Sequence, residues 1–169
     1  MKEYLYVDGY NIIHQWEILV KDLSVSLEEA RKHLEDILIE HMHLSGQIIV
    51  LVYDGHMVKG NLGEKSKREG MEIVFTKEHE TADSYIEREI SNLSHVRRIR
   101  VATSDNMEQQ IILGKGATRI SAQELYYEVH DGKDFWRKKL NREKLKNELH
   151  SGGLSKKNLE FLNSLLEGE

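Results

Sequence analysis

The chain has 169 residues, 39% of them hydrophobic and 31% charged, with a formal net charge of −5 and no cysteine. This size predicts one domain with a sizeable core, and the lack of cysteine excludes disulfides and thiolate zinc sites, as is typical of a reducing cytoplasm. The longest apolar run, Ile48 to Tyr53, is far shorter than the roughly 20 residues of a membrane span, and no signal-peptide pattern opens the chain. We therefore expect a cytoplasmic protein with no membrane partner.

The first elements in chain order are a short strand, a long helix and a buried strand. Residues 4–7, "YLYV", are aromatic and β-branched, which predicts a buried strand. A helix is predicted at about 26–44, because a Ser-x-x-Glu capping box precedes one apolar stripe and Gly46 ends it. Residues 47–53 are an almost continuous apolar run, which predicts a strand buried on both faces of a parallel sheet.

Strand and helix signals then alternate to residue 130. A polar, glycine-punctuated loop is predicted over residues 54–70. It is followed by predicted strands at 71–76, 98–103 and 117–120 and by predicted helices at 80–93, 105–113 and 121–130. This alternation predicts an α/β fold with a central, mainly parallel, five-stranded sheet flanked by helices.

A C-terminal extension follows this pattern. Two further helices are predicted at about 134–149 and 155–167, so the chain is divided into a domain at 1–132 and a basic helical extension at 133–169. Residues 133–157 carry a net charge of +6, whereas the domain carries −8. Such a segment is either a nucleic-acid-binding arm or a solvated helix face. Its candidate contact residues are Arg137, Lys138, Lys139 and Arg142.

Acidic residues follow the predicted strands. Asp8 ends the first strand and Asp54 the second, Asp105 follows the fourth, and Asp83 lies in the first turn of the helix after the third. In an open parallel sheet these strand ends share one edge, where ligands bind. We therefore predict that the four aspartates converge on one site, joined by Glu80, one turn before Asp83.

Each of these aspartates also has a purely structural interpretation. Asp8 and Asp54 precede glycine, and Asp-Gly is common turn chemistry. Asp105 could begin a helix as its N-cap, and an acid in a first turn, such as Asp83, favours the helix dipole. The argument for a site therefore depends on the four acids together.

A crowded set of carboxylates predicts a bound cation, because like charges repel unless something compensates them. Oxygen-only ligands suit Mg²⁺ or Mn²⁺, which are held by a few carboxylates and by substrate phosphate. Such ions activate a water molecule and neutralise charge on a phosphodiester. The acids therefore predict metal-assisted hydrolysis of a nucleic-acid backbone.

Basic residues near this edge are candidates for contacts with phosphate. Residues 59–70 are rich in lysine and glycine, which suggests a mobile basic loop beside the site, although a solvated loop without a role fits the same pattern. A further lysine and arginine frame the turn before the last predicted strand. These candidates are Lys59, Lys65, Lys67, Arg68, Lys115 and Arg119.

Five short motifs, in order, resemble one known family. They are "YVDGYNII" at 6–13, "VYDG" at 52–55, "ETADSYIE" at 80–87, "VATSD" at 101–105 and "GATRISAQEL" at 116–125. Together they look like the YacP-like NYN domains, bacterial members of the PIN-like ribonuclease superfamily. The resemblance implies a Rossmann-like PIN fold, a Mg²⁺ or Mn²⁺ site of acidic residues, and endoribonuclease activity.

The resemblance assigns roles to the acids position by position. Asp8 matches the metal ligand of the first strand, Asp83 the acid of the central helix, and Asp105 the acid after the fourth strand. Asp54 matches the "DG" that ends the second strand, and its part in catalysis is less defined. Gly9 is expected to let the chain turn away from Asp8 without covering it.

Two polar residues and two partners complete what the resemblance implies. Asn11 matches a polar residue that orients a ligand or a substrate phosphate, and Ser104 stands where related nucleases use a hydroxyl to touch metal-bound water or phosphate. A ribosome-associated enzyme that cuts mRNA during translation is known in this family. We therefore expect RNA, and mRNA in particular, as the substrate and the ribosome as a partner.

The alternative is a non-catalytic RNA- or ribosome-binding module on the same fold. Binding phosphate alone gives no reason to gather carboxylates, so the intact acidic set disfavours this alternative. A phosphoryl-transfer domain fits less well, because the segment Asp8-Gly-Tyr-Asn11 has neither paired acids nor an Asp-x-Asp pattern.

Overall fold

The structure is a computed structural model that describes residues 3–55, 62–93, 98–103 and 117–132. These residues form a sheet with helices packed on both faces. The predicted C-terminal extension at 133–169 lies outside them, so the domain boundary stays a prediction. Within the described ranges, no helix is long and apolar enough to cross a membrane.

The described elements confirm the α/β class. The strands are β1 Glu3–Asp8, β2 Ile48–Tyr53, β3 Glu64–Arg68, β4 Met71–Phe75, β5 Arg98–Ala102 and β6 Thr118–Ile120. The helices are α1 Gly9–Gln15, α2 Glu17–Leu23, α3 Leu27–Ser45, α4 Ala82–Leu93 and, as α5, helical residues 122–132. The strand order is β3-β4-β2-β1-β5-β6, and neighbours are parallel except β3 with β4. The sheet is mainly parallel, as predicted, but the described residues give it six strands instead of five.

β3 is the strand that the sequence did not indicate. Its residues, "EKSKR", fall within the predicted loop and are exposed, apart from the half-buried Arg68. A strand that is polar on both faces has no hydrophobic alternation to reveal it, and charged side chains suit the edge of a sheet. Glu69 and Gly70, with φ of 49° and 95°, make the tight turn into β4. The prediction of a mobile loop is therefore wrong for 64–68, while 56–61 lie outside the described residues.

Two short helices, α1 and α2, lie where the sequence indicated no helix. The Asp8 carboxylate caps α1 by accepting a hydrogen bond from the Asn11 N–H at 3.1 Å, so a helix begins where a turn was predicted. Between the two helices, the Trp16 indole N–H donates to the Ala122 carbonyl oxygen at 2.8 Å. Each helix has seven residues, too few for a helical period to stand out in the sequence.

Gly9 is explained by close packing. A Cβ at this position would lie 2.3 Å from Cε1 of the Tyr53 ring, so any larger residue would collide with a fully buried side chain. Glycine is therefore needed because α1 begins directly against the last residue of β2. The expectation that Gly9 turns the chain away from Asp8 is wrong, because the chain enters α1 instead.

The long helix α3 forms as predicted. The Ser26 hydroxyl accepts a hydrogen bond from the Glu29 N–H at 3.0 Å, and Gly46 ends the helix in the left-handed conformation, with φ of 71°. One side of α3 packs into the core through Ala30, Leu34, Ile37, Leu38, Ile39 and His41.

The two faces of the sheet pack against different helices. In β1 and β2, odd-numbered apolar residues share a core with α1, α2, α3 and α5, whereas even-numbered residues share a core with α4. This division follows from the two-residue period of a strand. It also decides on which face the residue at each strand end lies.

Candidate functional site

The carboxyl ends of β1, β2 and β4 lie side by side at one edge of the sheet. β1 pairs with β2 on one side, Asp8 opposite Val52, and with β5 on the other, Val7 opposite Ala102. The connection from β1 to β2 carries α3 on one face, and the connection from β4 to β5 carries α4 on the other. The topological switch therefore lies at the end of β1, where ligands of open α/β sheets bind.

Three of the predicted acids share one electrostatic environment at this edge. By alternation Asp8 and Asp54 lie on the α4 face, and Asp83 is in the first turn of α4. Burial raises the pKa of Asp8 to about 6, the Asn11 N–H opposes the increase, and the charges of Asp83 and Asp54 add to it. The structure thus brings together acids that are 75 positions apart in the sequence.

Asp83 has a buried oxygen without a partner. Its Oδ1 is inaccessible to solvent and makes no hydrogen bond with any residue that the structure describes. An unpaired buried oxygen is costly, by roughly 1–3 kcal/mol or more for a charged group. A hard cation is a partner that would satisfy this oxygen.

A complete metal cage is not found among the described residues. No three acidic or histidine side chains in 3–55, 62–93, 98–103 and 117–132 are arranged to hold a metal ion by themselves. Asp105, the third ligand that the resemblance implies, lies outside these ranges, as does Ser104. The oxygen-only donors fit Mg²⁺ or Mn²⁺, since such ions keep several waters and need only one or two protein carboxylates beside the substrate phosphate.

Glu80 is held by a partner of its own. Its carboxylate forms an ion pair with Arg88 of α4, and Arg88 also contacts Glu89 of the same helix. Its backbone carbonyl accepts a hydrogen bond from the Thr76 hydroxyl at 2.5 Å. Glu80 was predicted to join the metal ligands; its carboxylate pairs with Arg88 in the structure, and its place among the ligands stays a prediction.

Thr76 is a functional candidate that sequence reasoning missed. The side chain is buried, and its hydroxyl accepts from the Gly55 N–H at 2.8 Å while donating to Glu80. It therefore ties the segment after β2, in which Asp54 lies, to the segment that leads into α4. Asp83 lies in the first turn of that helix. Its position as the last residue of the predicted strand at 71–76, at the same edge of the sheet as Asp8, was the signal available in the sequence.

The predicted basic contacts have different surroundings. Arg68 pairs with Glu35 at 2.9 Å and with Asp36 at 2.5 Å, which ties β3 to α3. Lys65 lies 5.1 Å from the centroid of the Tyr85 ring, and Lys67 is exposed on the same strand. Arg119 in β6 has a buried Nε with no hydrogen-bond partner among the described residues. The other predicted contacts lie outside them: Lys59, Lys115, Arg137, Lys138, Lys139 and Arg142.

The pKa of Asp8 predicts a pH-dependent stability of the metal-free protein. Because its pKa is about 6 in the fold, against an ordinary value of 3.8, ionised Asp8 lowers the free energy of unfolding, by at most about 3 kcal/mol. This loss is absent below about pH 4 and complete above about pH 6. Asp8→Asn keeps the cap of α1, so it should stabilise the protein near pH 7 and leave it unchanged near pH 4.

Urea denaturation in EDTA at several pH values would measure this difference. The gain of the variant over the wild type should grow between about pH 4 and pH 6. A gain that is the same at every pH would show that Asp8 has an ordinary pKa in the folded state.

Comparisons with known proteins point in one direction. The model of the YacP-like NYN domain family matches residues 5–167. The chain is 46% identical, over 127 residues, to the uncharacterized protein YacP of Bacillus subtilis strain 168, a match that covers 74% of either chain. The crystal structure of Rae1 (YacP) from Bacillus subtilis matches with a TM-score of 0.69 and 36% identity, over 98% of this chain and 95% of that one. A mutant of Rae1 matches with a TM-score of 0.66 and 34% identity, over 90% and 84% of the two chains.

These matches confirm the resemblance that the five motifs indicated, and with it the PIN-like fold. The family model also continues past the last of the motifs, to residue 167. The segment predicted as a basic extension is therefore part of the sequence pattern that defines the family.

Proposed function

Because the chain belongs to the YacP-like NYN domain family, we propose that it is a divalent-metal-dependent endoribonuclease that hydrolyses RNA phosphodiesters. Family membership by itself supports a nuclease-type, RNA-related role. The proposal is finer in three respects: Mg²⁺ or Mn²⁺ is the cofactor, mRNA is the substrate, and cleavage occurs in association with the ribosome.

The observation that carries the proposal is the group of acids at the end of β1. Asp8 has a raised pKa, the charges of Asp83 and Asp54 contribute to it, and Asp83 has a buried oxygen without a partner among the described residues. A protein that only binds RNA would not gather negative charge where a polyanion must approach. A cation between the acids and the phosphate would give the carboxylates a partner, and its positive charge would attract the negatively charged substrate.

Under this proposal, each residue of the site has one role. Asp8, Asp83 and Asp105 would hold the ion, which would supply a more acidic water and neutralise charge on the phosphate. Asp54 adds negative charge that favours the ion, and Thr76 holds both acidic segments at a fixed separation. The other proposed roles are those of Asn11 and Ser104, which would orient the phosphate or a water molecule.

The alternative function is a non-catalytic RNA- or ribosome-binding module. The exposed Lys67 and the predicted cationic extension would serve that function equally well. It gives no account of the raised pKa of Asp8 or of the buried oxygen of Asp83. We therefore prefer the nuclease.

Metal removal tests the proposal directly. The purified protein should cleave a labelled mRNA in Mg²⁺ or Mn²⁺, either alone or with ribosomes. Cleavage should stop in excess EDTA and return when the metal is restored, because the acids alone repel the phosphate. Cleavage that continues in EDTA would contradict a metal-dependent nuclease. An absence of cleavage with either metal, both with and without ribosomes, would favour the binding module.

A further inference from the structure

A second group of side chains lies at the same edge of the sheet, on the face opposite the acids. Each of three neighbouring strands has an aromatic residue at its carboxyl end: Tyr10 just after β1, Tyr53 at the end of β2 and Phe75 at the end of β4. All three belong to or pack against the core on the α3 side. Because consecutive residues of a strand face opposite ways, Tyr53 lies on this face while Asp54 lies on the other.

The three rings form a continuous row. The Tyr10 and Tyr53 centroids are 5.1 Å apart, and Tyr53 stacks on Phe75, also at 5.1 Å with 26° between the planes. Tyr53 is fully buried in the middle and donates its hydroxyl proton to the Arg31 carbonyl oxygen at 3.4 Å. Tyr10 and Phe75 at the two ends are half-buried, so each keeps accessible aromatic surface.

Arg31, in the first half of α3, covers this row. Its Cζ lies 5.5 Å from the Phe75 centroid and 6.0 Å from that of Tyr53, within the range of cation–π contacts. One of its amino groups donates to the Tyr10 hydroxyl at 3.2 Å. A guanidinium has five N–H donors in a planar fork, so most of them are left for another acceptor.

Glu35, which is spaced along α3 to pair with Arg31, forms its hydrogen bond with another arginine. Glu35 is one helical turn further along α3, the spacing at which an arginine and a glutamate pair. Its carboxylate instead accepts from Arg68 of β3 at 2.9 Å. No carboxylate among the described residues lies within 4.0 Å of the Arg31 guanidinium, so Arg31 forms no salt bridge in the part of the protein that the structure describes.

A cavity of about 420 Å³ opens beside Arg31 and Phe75. Its lining has three cations and two anions; Arg68 and Glu35 pair with each other, which leaves Arg31 and Lys32 against Glu28. The volume lies within the range of small-ligand sites, roughly 300–1,000 Å³. A cavity of this size, with an aromatic ring, a guanidinium and an excess of one cation in its lining, suits a nucleobase of a nucleic-acid strand. The residues that line it are Glu28, Arg31, Lys32, Glu35, Arg68 and Phe75.

We propose that this cavity binds one unpaired base of the RNA substrate, close to the phosphate that is cleaved. This inference rests on the proposed function and adds to it a separate site for one unpaired base. The base packs against the planar guanidinium of Arg31, which lies over Phe75, and against the part of that ring that lines the cavity. β4 is two strands from β1, so the ends of the two strands are roughly 10 Å apart, twice the ~4.8 Å strand spacing. The same strand of RNA would therefore cross the sheet edge from the base cavity on one face to the acids on the other.

RNA binding without cleavage tests this inference. We would measure fluorescence anisotropy in EDTA with a short labelled single-stranded RNA and with an abasic oligonucleotide of the same length. Wild-type protein should prefer the base-bearing strand. Phe75→Leu and Arg31→Gln should each lose roughly tenfold in affinity for it, in line with the stacking of one base, and should bind the abasic strand nearly as the wild type does.

Two control variants separate stacking from general effects on charge and folding. Phe75→Tyr keeps the ring and should keep the preference for bases. Arg98→Gln makes the same charge change as Arg31→Gln on an exposed residue at the opposite edge of the sheet, and should bind as the wild type does. Thermal melts of all four variants would identify any that has lost its fold.

The outcomes distinguish this inference from the proposed function. If Phe75→Leu and Arg31→Gln keep the preference for base-bearing RNA, or lose affinity equally for both strands, the base cavity is wrong. A wild-type protein without such a preference would overturn it as well. In each case, metal-dependent cleavage by the same wild-type preparation decides separately whether the protein is a nuclease.

Discussion

Replacing Asp8 by asparagine is expected to reduce RNA cleavage at least about a hundredfold while leaving the fold intact, and Asp83→Asn should do the same. Each change removes a negative charge from the set that would hold the metal ion. The asparagine introduced by Asp8→Asn would still cap α1, because its side-chain oxygen accepts the Asn11 N–H as that of aspartate does. At position 83 the buried oxygen remains, but without the charge that a divalent ion requires.

The experiment compares initial cleavage rates in Mg²⁺ and Mn²⁺ with the thermal midpoint of each variant. Asp131→Asn is a matched control, since this residue is exposed and lies late in α5, away from the strand ends. It should cleave RNA at the wild-type rate. Full activity in either Asp8→Asn or Asp83→Asn would show that the acids at the end of β1 do not hold the catalytic ion.

Much of the fold could be predicted from local patterns. β2 is a run of apolar residues that is buried from Ile49 to Tyr53, and α3 has both its Ser26 cap and its Gly46 end in the sequence. Such signals are strong because burial and capping act over a few adjacent residues. β3 gave no signal, because an exposed edge strand needs no apolar side chains, and its pairing with β4 depends on a turn instead.

The acidic half of the site was predictable for a similar reason. Once the strands were known to be parallel, their carboxyl ends had to share an edge, so Asp8 and Asp54 had to be near each other. The aromatic half was not predictable. The availability of Arg31 depends on Arg68 occupying Glu35, and the role of Thr76 depends on two backbone groups from separate segments. Which of several possible hydrogen-bond partners a side chain contacts can be determined only from the folded structure.

The charge of the chain sets a further requirement for RNA binding. Residues 1–132 have a net charge of −8, which one bound divalent ion would reduce only to −6, so their overall charge opposes the approach of RNA. Residues 133–157 have +6 and lie outside the described residues, but the family model extends across them. In this chain, the cationic segment that follows residues 1–132 in the sequence is the candidate for attracting a polyanion.

We therefore expect that changing four cations of this segment to glutamate will strongly weaken association with RNA or ribosomes. The four are Arg137, Lys138, Lys139 and Arg142. If each of these cations neutralises one phosphate, the dependence of log affinity on log salt concentration should become less steep. The magnitude of its slope should decrease by roughly 3, because each contact with single-stranded RNA contributes about 0.7. Affinity at moderate salt should fall at least about tenfold, while Asp8 and the metal site keep their properties. Binding would be measured by anisotropy for RNA and by sedimentation with ribosomes, each over a range of salt concentrations.

A matched variant that exchanges arginine for lysine, and lysine for arginine, at the same four positions keeps the charge and should bind as the wild type does. Should the glutamate variant bind equally well at low and at high salt, the segment is a solvated helix face, and RNA must be attracted by another surface of the protein.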